Sequence, residues 1–277
     1  METFRRDDLT FTVRDAGPAD APPERTIVLL HGFPQTSAAW DEVAGRLNAQ
    51  GFRTLAPDTR GMSAGARPTA RSAYRIEEVV ADVLALLDEA GLDAVHLVGH
   101  DWGGAIAWSV ARRHPDRVRT LTVLSTPHPK AIAWASKHST QALKSWYFAP
   151  MQVPFLPETV LMTAARTRRF PLAGLPAEHW ARYADAMSDR EGARGAVGLY
   201  RGMLARGQRS GGRFPRFTVP TTLVWGRHDP TLGRAAAERT AHYCHGDYRF
   251  VEVDGDHWLP EKHADSVVRE IVRRVGA

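Results

Sequence analysis

The sequence predicts an α/β fold on a mostly parallel sheet, interrupted by an inserted helical lid. Three observations predict it. Apolar, β-rich runs alternate with amphipathic helical stretches towards both ends of the 277-residue chain, as strands joined by crossover helices require. Between residues 130 and 217 the strand signal disappears, and it then resumes. The composition, 43% hydrophobic and 24% charged, supplies a sizeable core without disulfide staples.

Residues 9–14 read as an opening strand, and Thr26–Leu30 as a buried strand ending at His31-Gly32-Phe33-Pro34. Ser37 is expected to cap a helix reaching residue 48, with a strand over 52–56. Residues 73–90 place Val79, Val80, Val83, Leu84, Leu86 and Leu87 at helical spacing before Gly91. A strand over 94–98 precedes a helix over Trp102–Arg113, which His114-Pro115 stops, and Val118–Leu124 is the next strand. Strands over 221–225 and Tyr248–Val253 bracket a helix near 234–243. A last amphipathic helix over 261–275 carries Val267, Val268, Ile271 and Val275. The stretch 130–217 is helical in pattern, with Pro150, Pro154, Pro157, Pro171 and Pro176 as breakers. The expected organisation is a core of 1–129 and 218–277 with a helical cap of 130–217.

Composition narrows the function. Cys244 is the only cysteine, which excludes an intrachain disulfide and a cysteine-cluster metal site and fits a reducing, cytoplasmic setting. The charged N-terminus lacks the apolar stretch of a signal peptide, and no run is apolar enough to span a bilayer. The net charge of +5 is uneven: residues 130–217 hold 14 Lys/Arg against 5 Asp/Glu, while the rest hold 22 against 26. These arginines are scattered at helical spacing without interleaved aromatics, which reads as a solvated face and not as a nucleic-acid site.

The segment that carries chemistry is Gly99-His100-Asp101-Trp102-Gly103-Gly104. It follows a strand and opens a helix, the setting of a nucleophile elbow, with Asp101 where serine hydrolases carry serine. A carboxylate attacking an ester carbonyl would give an anhydride. Attacking an sp³ carbon, it displaces a leaving group and gives an alkyl-enzyme ester. Gly61-Met62-Ser63-Ala64-Gly65 matches the serine-elbow string literally, but no helix opens directly after it, so Ser63 reads as a loop residue. Hydrolysis of the ester needs a base and a group that orients it. Asp229 and His257 each follow a strand end, and parallel strands deliver their C-terminal ends to one edge. Asp254 and Asp256 are the rival acids, on the histidine's own loop. His100 reads as a packing residue. The backbone N–H groups of Phe33 and Trp102 are expected to form an oxyanion hole.

Taken together, His31-Gly32-Phe33-Pro34, Asp58-x-Arg60-Gly61, Gly99–Gly104, Pro127-His128-Pro129, Asp229-Pro230 and Gly255-x-His257-Trp258 resemble an α/β-hydrolase of the epoxide hydrolase family. The resemblance covers nearly the whole chain, and one inserted residue in Gly255-Asp256-His257 departs from the family's Gly-His-Trp. It implies an α/β-hydrolase fold with a mostly parallel eight-stranded sheet flanked by helices. It also implies two cap tyrosines that donate hydrogen bonds to the epoxide oxygen. Trp146-Tyr147-Phe148 and the segment ending in Tyr200 match the family's two tyrosine segments, while Tyr183 reads as helix packing. Trp102, Phe33, Trp146, Phe148 and Met151 are the expected substrate contacts. The substrate class is then a small epoxide, apolar or aromatic, with no cofactor, no metal, no nucleic-acid or membrane partner, and a monomeric or homodimeric state. Haloalkane dehalogenase is the nearest alternative, with Trp102 binding halide and Trp146 or Trp180 supplying a second indole. A catalytically silent, hydrolase-like ligand receptor is the alternative from another class.

Overall fold

The computed structural model describes residues 1–169, 174–203, 205 and 216–276. Pro171, expected as a breaker, lies outside the described residues, as do 204 and 206–215 near the close of the inserted stretch. Eight strands form one sheet: β1 (Thr3–Arg6), β2 (Leu9–Ala16), β3 (Thr26–Leu30), β4 (Arg53–Pro57), β5 (Val95–His100), β6 (Val118–Leu124), β7 (Thr221–Gly226) and β8 (Tyr248–Val253). Their order is β1-β2-β4-β3-β5-β6-β7-β8. Pairing is antiparallel from β1 to β2 and from β2 to β4, and parallel elsewhere. The inner strands β3, β5 and β7 are buried at every position, because helices cover both faces of a parallel sheet.

The strands' two-residue period sorts their side chains into two layers. Val28 and Leu30 face a layer built with α2 (Ile76–Glu89) and α3 (Trp102–Arg113), which contribute Val79, Leu86, Ile106 and Trp108. Ile27 and Leu29 face the opposite layer with α1 (Asp41–Asn48) and the C-terminal helix, which contribute Val43, Leu47, Val267 and Ile271. Each such side chain, fully buried, is worth about 1.5–3 kcal/mol of transfer free energy.

Four local expectations need correction. The strand β1 was hidden by its charges: Phe4 alone points inward and stacks on Phe11 at 4.6 Å, while Arg6 pairs with Glu78 and Asp82. Ser37 does not stand at a cap: it is the first residue of a 3-10 turn, and its amide donates to Asp58. Thr36 caps instead, and a 3-10 turn over Ser37–Trp40 precedes α1. Arg75 is extended, so α2 starts only at Ile76 after a 3-10 turn over Arg71–Tyr74. The final helix is broken at His263, as the helices below show.

Between β6 and β7 the chain leaves the sheet. The described residues there hold α4 (Pro129–His138), α5 (Gln141–Lys144), a 3-10 turn over Trp146–Phe148, α6 (Leu156–Thr167), α7 (Ala177–Tyr183), α8 (Arg190–Ala196) and α9 (Gly198–Gly202). The sheet closes beneath this excursion, β7 pairing directly with β6. Then follow α10 (Arg234–Arg239), α11 (Leu259–Lys262) and α12 (Ala264–Val275). The helix α9 lies tight on the core: a Cβ at Gly198 would stand 2.3 Å from the Tyr74 ring, and one at Gly202 would stand 2.2 Å from the Tyr74 carbonyl oxygen.

Candidate active site

Asp101 occupies the turn from β5 into α3 with φ 51° and ψ −118°, a backbone conformation that costs a non-glycine residue roughly 1–3 kcal/mol. Glycine neighbours make so sharp a turn possible, since a Cβ at Gly103 would stand 2.0 Å from the Leu30 carbonyl oxygen. The turn lifts the carboxylate above the sheet edge. Its Oδ1 accepts the Phe33 N–H at 2.8 Å, and its Oδ2 stands 3.5 Å from His257 Nε2. The latter is a charge contact and not yet a short hydrogen bond.

The other two expected groups converge on it. Asp229, in the turn after β7, has Oδ2 2.7 Å from His257 Nδ1. Its Oδ1 accepts the Thr231 N–H at 2.7 Å, the Thr231 hydroxyl at 2.7 Å and the Leu232 N–H at 2.9 Å. With three donors on one oxygen, the other is left to His257, and the imidazole presents Nε2 towards Asp101. Thr231 and the Leu232 amide escaped the sequence reading, although Asp229-Pro230-Thr231 is the kind of turn in which an aspartate binds the backbone two residues on. Asp254 instead pairs with Arg227 and His228, and Asp256 with Lys262.

The electrostatics follow from burial and mutual charge. Burial pushes the Asp101 carboxyl up, but the neighbouring His257 imidazole, with smaller help from His100 and the Phe33 amide, brings it below the usual carboxylate range. Asp229 is lowered in the same way, chiefly by His257 and its turn donors. Burial pulls His257 down, yet the two carboxylates outweigh it and hold the imidazole well above its ordinary value. His100 is wholly buried. Its ring nitrogens lie 2.9 Å from Gln35 Oε1 and 2.8 Å from the His257 carbonyl oxygen, and burial lowers it to about 4. Ser63 accepts the Thr12 N–H inside the core.

A cavity of about 280 Å³ opens on Asp101. Trp102, Tyr147, Phe148 and Tyr200 line it, with Ile132, Met203 and Leu232. The Tyr200 ring packs edge-on against Trp102 at 4.9 Å and Phe33 at 5.2 Å, and Tyr147 stands 6.3 Å from it, centroid to centroid. Burial, then the Asp101 charge, raises both phenols above their ordinary value, so both stay protonated donors. Three of the expected contact residues, Phe33, Trp146 and Met151, are not among those lining this cavity. Trp146 stands 68% exposed, because the tight 3-10 turn that aims Tyr147 inward turns its neighbour out. Met151 packs behind the wall, where its carbonyl accepts from Arg201. Phe33 meets the site through its amide, which Asp101 accepts, while its ring packs against Tyr200. Trp180 is buried within the insertion, and its indole N–H donates to the Ala164 carbonyl.

Among the described residues no group of three or more His, Cys, Asp or Glu could hold a metal ion. None of their helices is long and apolar enough to cross a membrane.

An ionised carboxylate at the turn into a helix, beside a histidine and a second carboxylate at one edge of a parallel sheet, is a candidate hydrolase site. The chain belongs to the α/β-hydrolase fold family, whose model matches residues 25–264. It is 31% identical to the AB hydrolase superfamily protein YfhM of Bacillus subtilis over 91% of this chain and 89% of that one. It is 30% identical to Epoxide hydrolase A of Mycobacterium tuberculosis over 94% and 92% of the two chains. Among solved structures, one of the epoxide hydrolases from hot-environment metagenomes superposes with a TM-score of 0.83. It is 25% identical, over 97% of this chain and 95% of that one.

Proposed function

We propose that the protein is an epoxide hydrolase that converts a small apolar or aryl epoxide into a vicinal diol. One observation carries the reading: an ionised carboxylate and two protonated phenols share the walls of one cavity. An epoxide needs this pairing, since its alkoxide leaving group is poor unless the ring oxygen receives hydrogen bonds. Residues 130–217 act as the cap that brings the phenols over the core of 1–129 and 218–277.

Asp101 Oδ2 attacks a ring carbon, the carbon–oxygen bond breaks, and the freed oxygen takes hydrogen bonds and then a proton from the Tyr147 and Tyr200 side. Oδ1, already on the Phe33 amide, becomes the ester carbonyl. Ester formation removes the Asp101 charge, and His257 loses one of the two carboxylates that held its proton. The proton that the imidazole then sheds balances the one taken by the opened oxygen. Neutral His257, oriented by Asp229, deprotonates a water that adds to the ester carbon. The oxyanion rests on the Phe33 and Trp102 amides. Its collapse expels the diol oxygen, which takes the proton that His257 drew from water, and the carboxylic acid left on Asp101 gives its proton to His257 and is a carboxylate again.

Against the halide alternative, neither indole expected to give it a second donor faces the cavity among the described residues: the Trp146 side chain is turned outward and Trp180 donates to Ala164. Incubation with styrene oxide and, separately, 1-bromobutane separates the two. Diol without bromide release is expected; bromide release without diol would assign the site to dehalogenation.

A further inference from the structure

Behind His257 a second chain of buried hydrogen bonds links the insertion to both halves of the site. Glu261, in α11 and four residues after His257, has Oε1 accepting Gln35 Nε2 at 2.6 Å and the Tyr183 hydroxyl at 3.0 Å. Its Oε2 is buried with no hydrogen-bond partner. Gln35 in turn accepts the Gly32 N–H at 2.8 Å, next to the amide that holds Asp101, and stands 2.9 Å from His100 Nδ1. His100 Nε2 and the Ser125 hydroxyl meet the His257 carbonyl oxygen at 2.8 and 2.9 Å. Tyr183 belongs to α7 of the insertion, and Gln35 follows the Phe33 loop. One carboxyl oxygen therefore joins three segments far apart in sequence.

The geometry points to Glu261 as a positioning residue for ester hydrolysis: through Gln35, which accepts the Gly32 N–H, it fixes the Phe33 loop against its own segment, four residues after His257, and through Tyr183 it ties that pair to the insertion. The inference rests on the epoxide-hydrolase reading. Both groups at the ends of this chain act chiefly in the second step, the Phe33 amide on the tetrahedral oxyanion and His257 as the base. Attack by Asp101 needs no proton transfer from either. Loosening Glu261 therefore slows breakdown of the alkyl-enzyme more than its formation, a pattern that loss of packing alone does not produce. A buried carboxyl oxygen left unpartnered costs free energy, so packing alone gives no reason for a glutamate here.

The test uses the full chain with styrene oxide, following kcat, KM and, by mass spectrometry after acid quench, the fraction of protein carrying the ester. Glu261→Ala is expected to lower kcat about tenfold or more, the scale of slightly misplaced reacting groups, with KM lowered and ester accumulating. Glu261→Gln, whose amide oxygen accepts the same two bonds, is expected to recover to within about threefold of the parent. Gln35→Leu, which leaves Glu261 in place, is expected to reproduce the accumulation and decides the matter should Glu261→Ala not fold. Folded Glu261→Ala with unchanged kcat and ester fraction would overturn the proposal. So would a Glu261→Gln protein as impaired as the alanine, which would make charge the operative property. A parent protein that forms neither diol nor ester would instead remove the reading on which the proposal rests.

Discussion

The two walls of the cavity are held by different physics. On the core side, the two carboxylates are fixed by hydrogen bonds to backbone, Asp101 by the Phe33 amide and Asp229 by the Thr231 and Leu232 amides, and His257 is held by the Asp229 side chain. On the insertion side, Tyr200 is held by shape. Its ring lies among Trp102, Phe33 and Phe148, and its helix is pressed on Tyr74 through Gly198 and Gly202. Tyr147 is held less, on a 3-10 turn whose surroundings expose Leu143, Trp146 and Phe155. The carboxylate wall is thus specified by bonding geometry, and the phenol wall by packing.

If that contrast is right, the core side breaks sharply and the insertion side yields in steps. Asp229→Asn removes the charge that keeps His257 oriented and basic. It should cost roughly a thousandfold or more in ester hydrolysis, the scale of an orienting carboxylate in a hydrolytic triad, read as diol formation after a rapid ester burst. Removing both phenols, Tyr147→Phe with Tyr200→Phe, should cost about 10²–10⁴-fold in ring opening, as loss of general-acid assistance does, with no ester appearing. Of the single changes, Tyr200→Phe should cost more, since its ring is the more firmly placed; equal effects would contradict the ranking drawn from exposure.

The pH dependence sharpens the same division. In the proposed mechanism His257 acts as base only when neutral, and its proton is held by two carboxylates in the free enzyme but by Asp229 alone in the ester. Single-turnover ester hydrolysis should therefore rise with pH through the histidine's value in the ester and fall below it. That value lies lower than the free enzyme's, and NMR titration of the parent should show the higher one. The smallest effect belongs to the seam. Gly198→Ala sets a methyl 2.3 Å from the Tyr74 ring, and overpacking of this kind costs about 1–3 kcal/mol, seen as a lowered Tm. Ring opening should suffer as Tyr200 is displaced, while Asp229-dependent hydrolysis should not.

What the sequence made legible follows the same line. Asp101 stands in a local pattern of β-formers, glycines and a helix start, and Asp229 and His257 follow strand ends, so order along the chain places them at one edge. The contacts that escaped are long-range or out of phase. Gln35 and Glu261 lie 226 residues apart, and no local period joins them. Trp146, Tyr147 and Phe148 share a three-residue turn, of which Tyr147 and Phe148 line the cavity and Trp146 does not, and hydrophobicity does not say which is left out. The strand β1 was hidden because a single inward Phe4 among charged neighbours leaves hardly any alternation to read.

The most direct measurement is the mass of His257→Gln protein after incubation with styrene oxide. The mechanism predicts a stable adduct of the full epoxide mass on the peptide containing Asp101, with diol formation stalled. Diol turnover at the parent rate with no adduct would contradict the assignment of Asp101 as nucleophile and His257 as base.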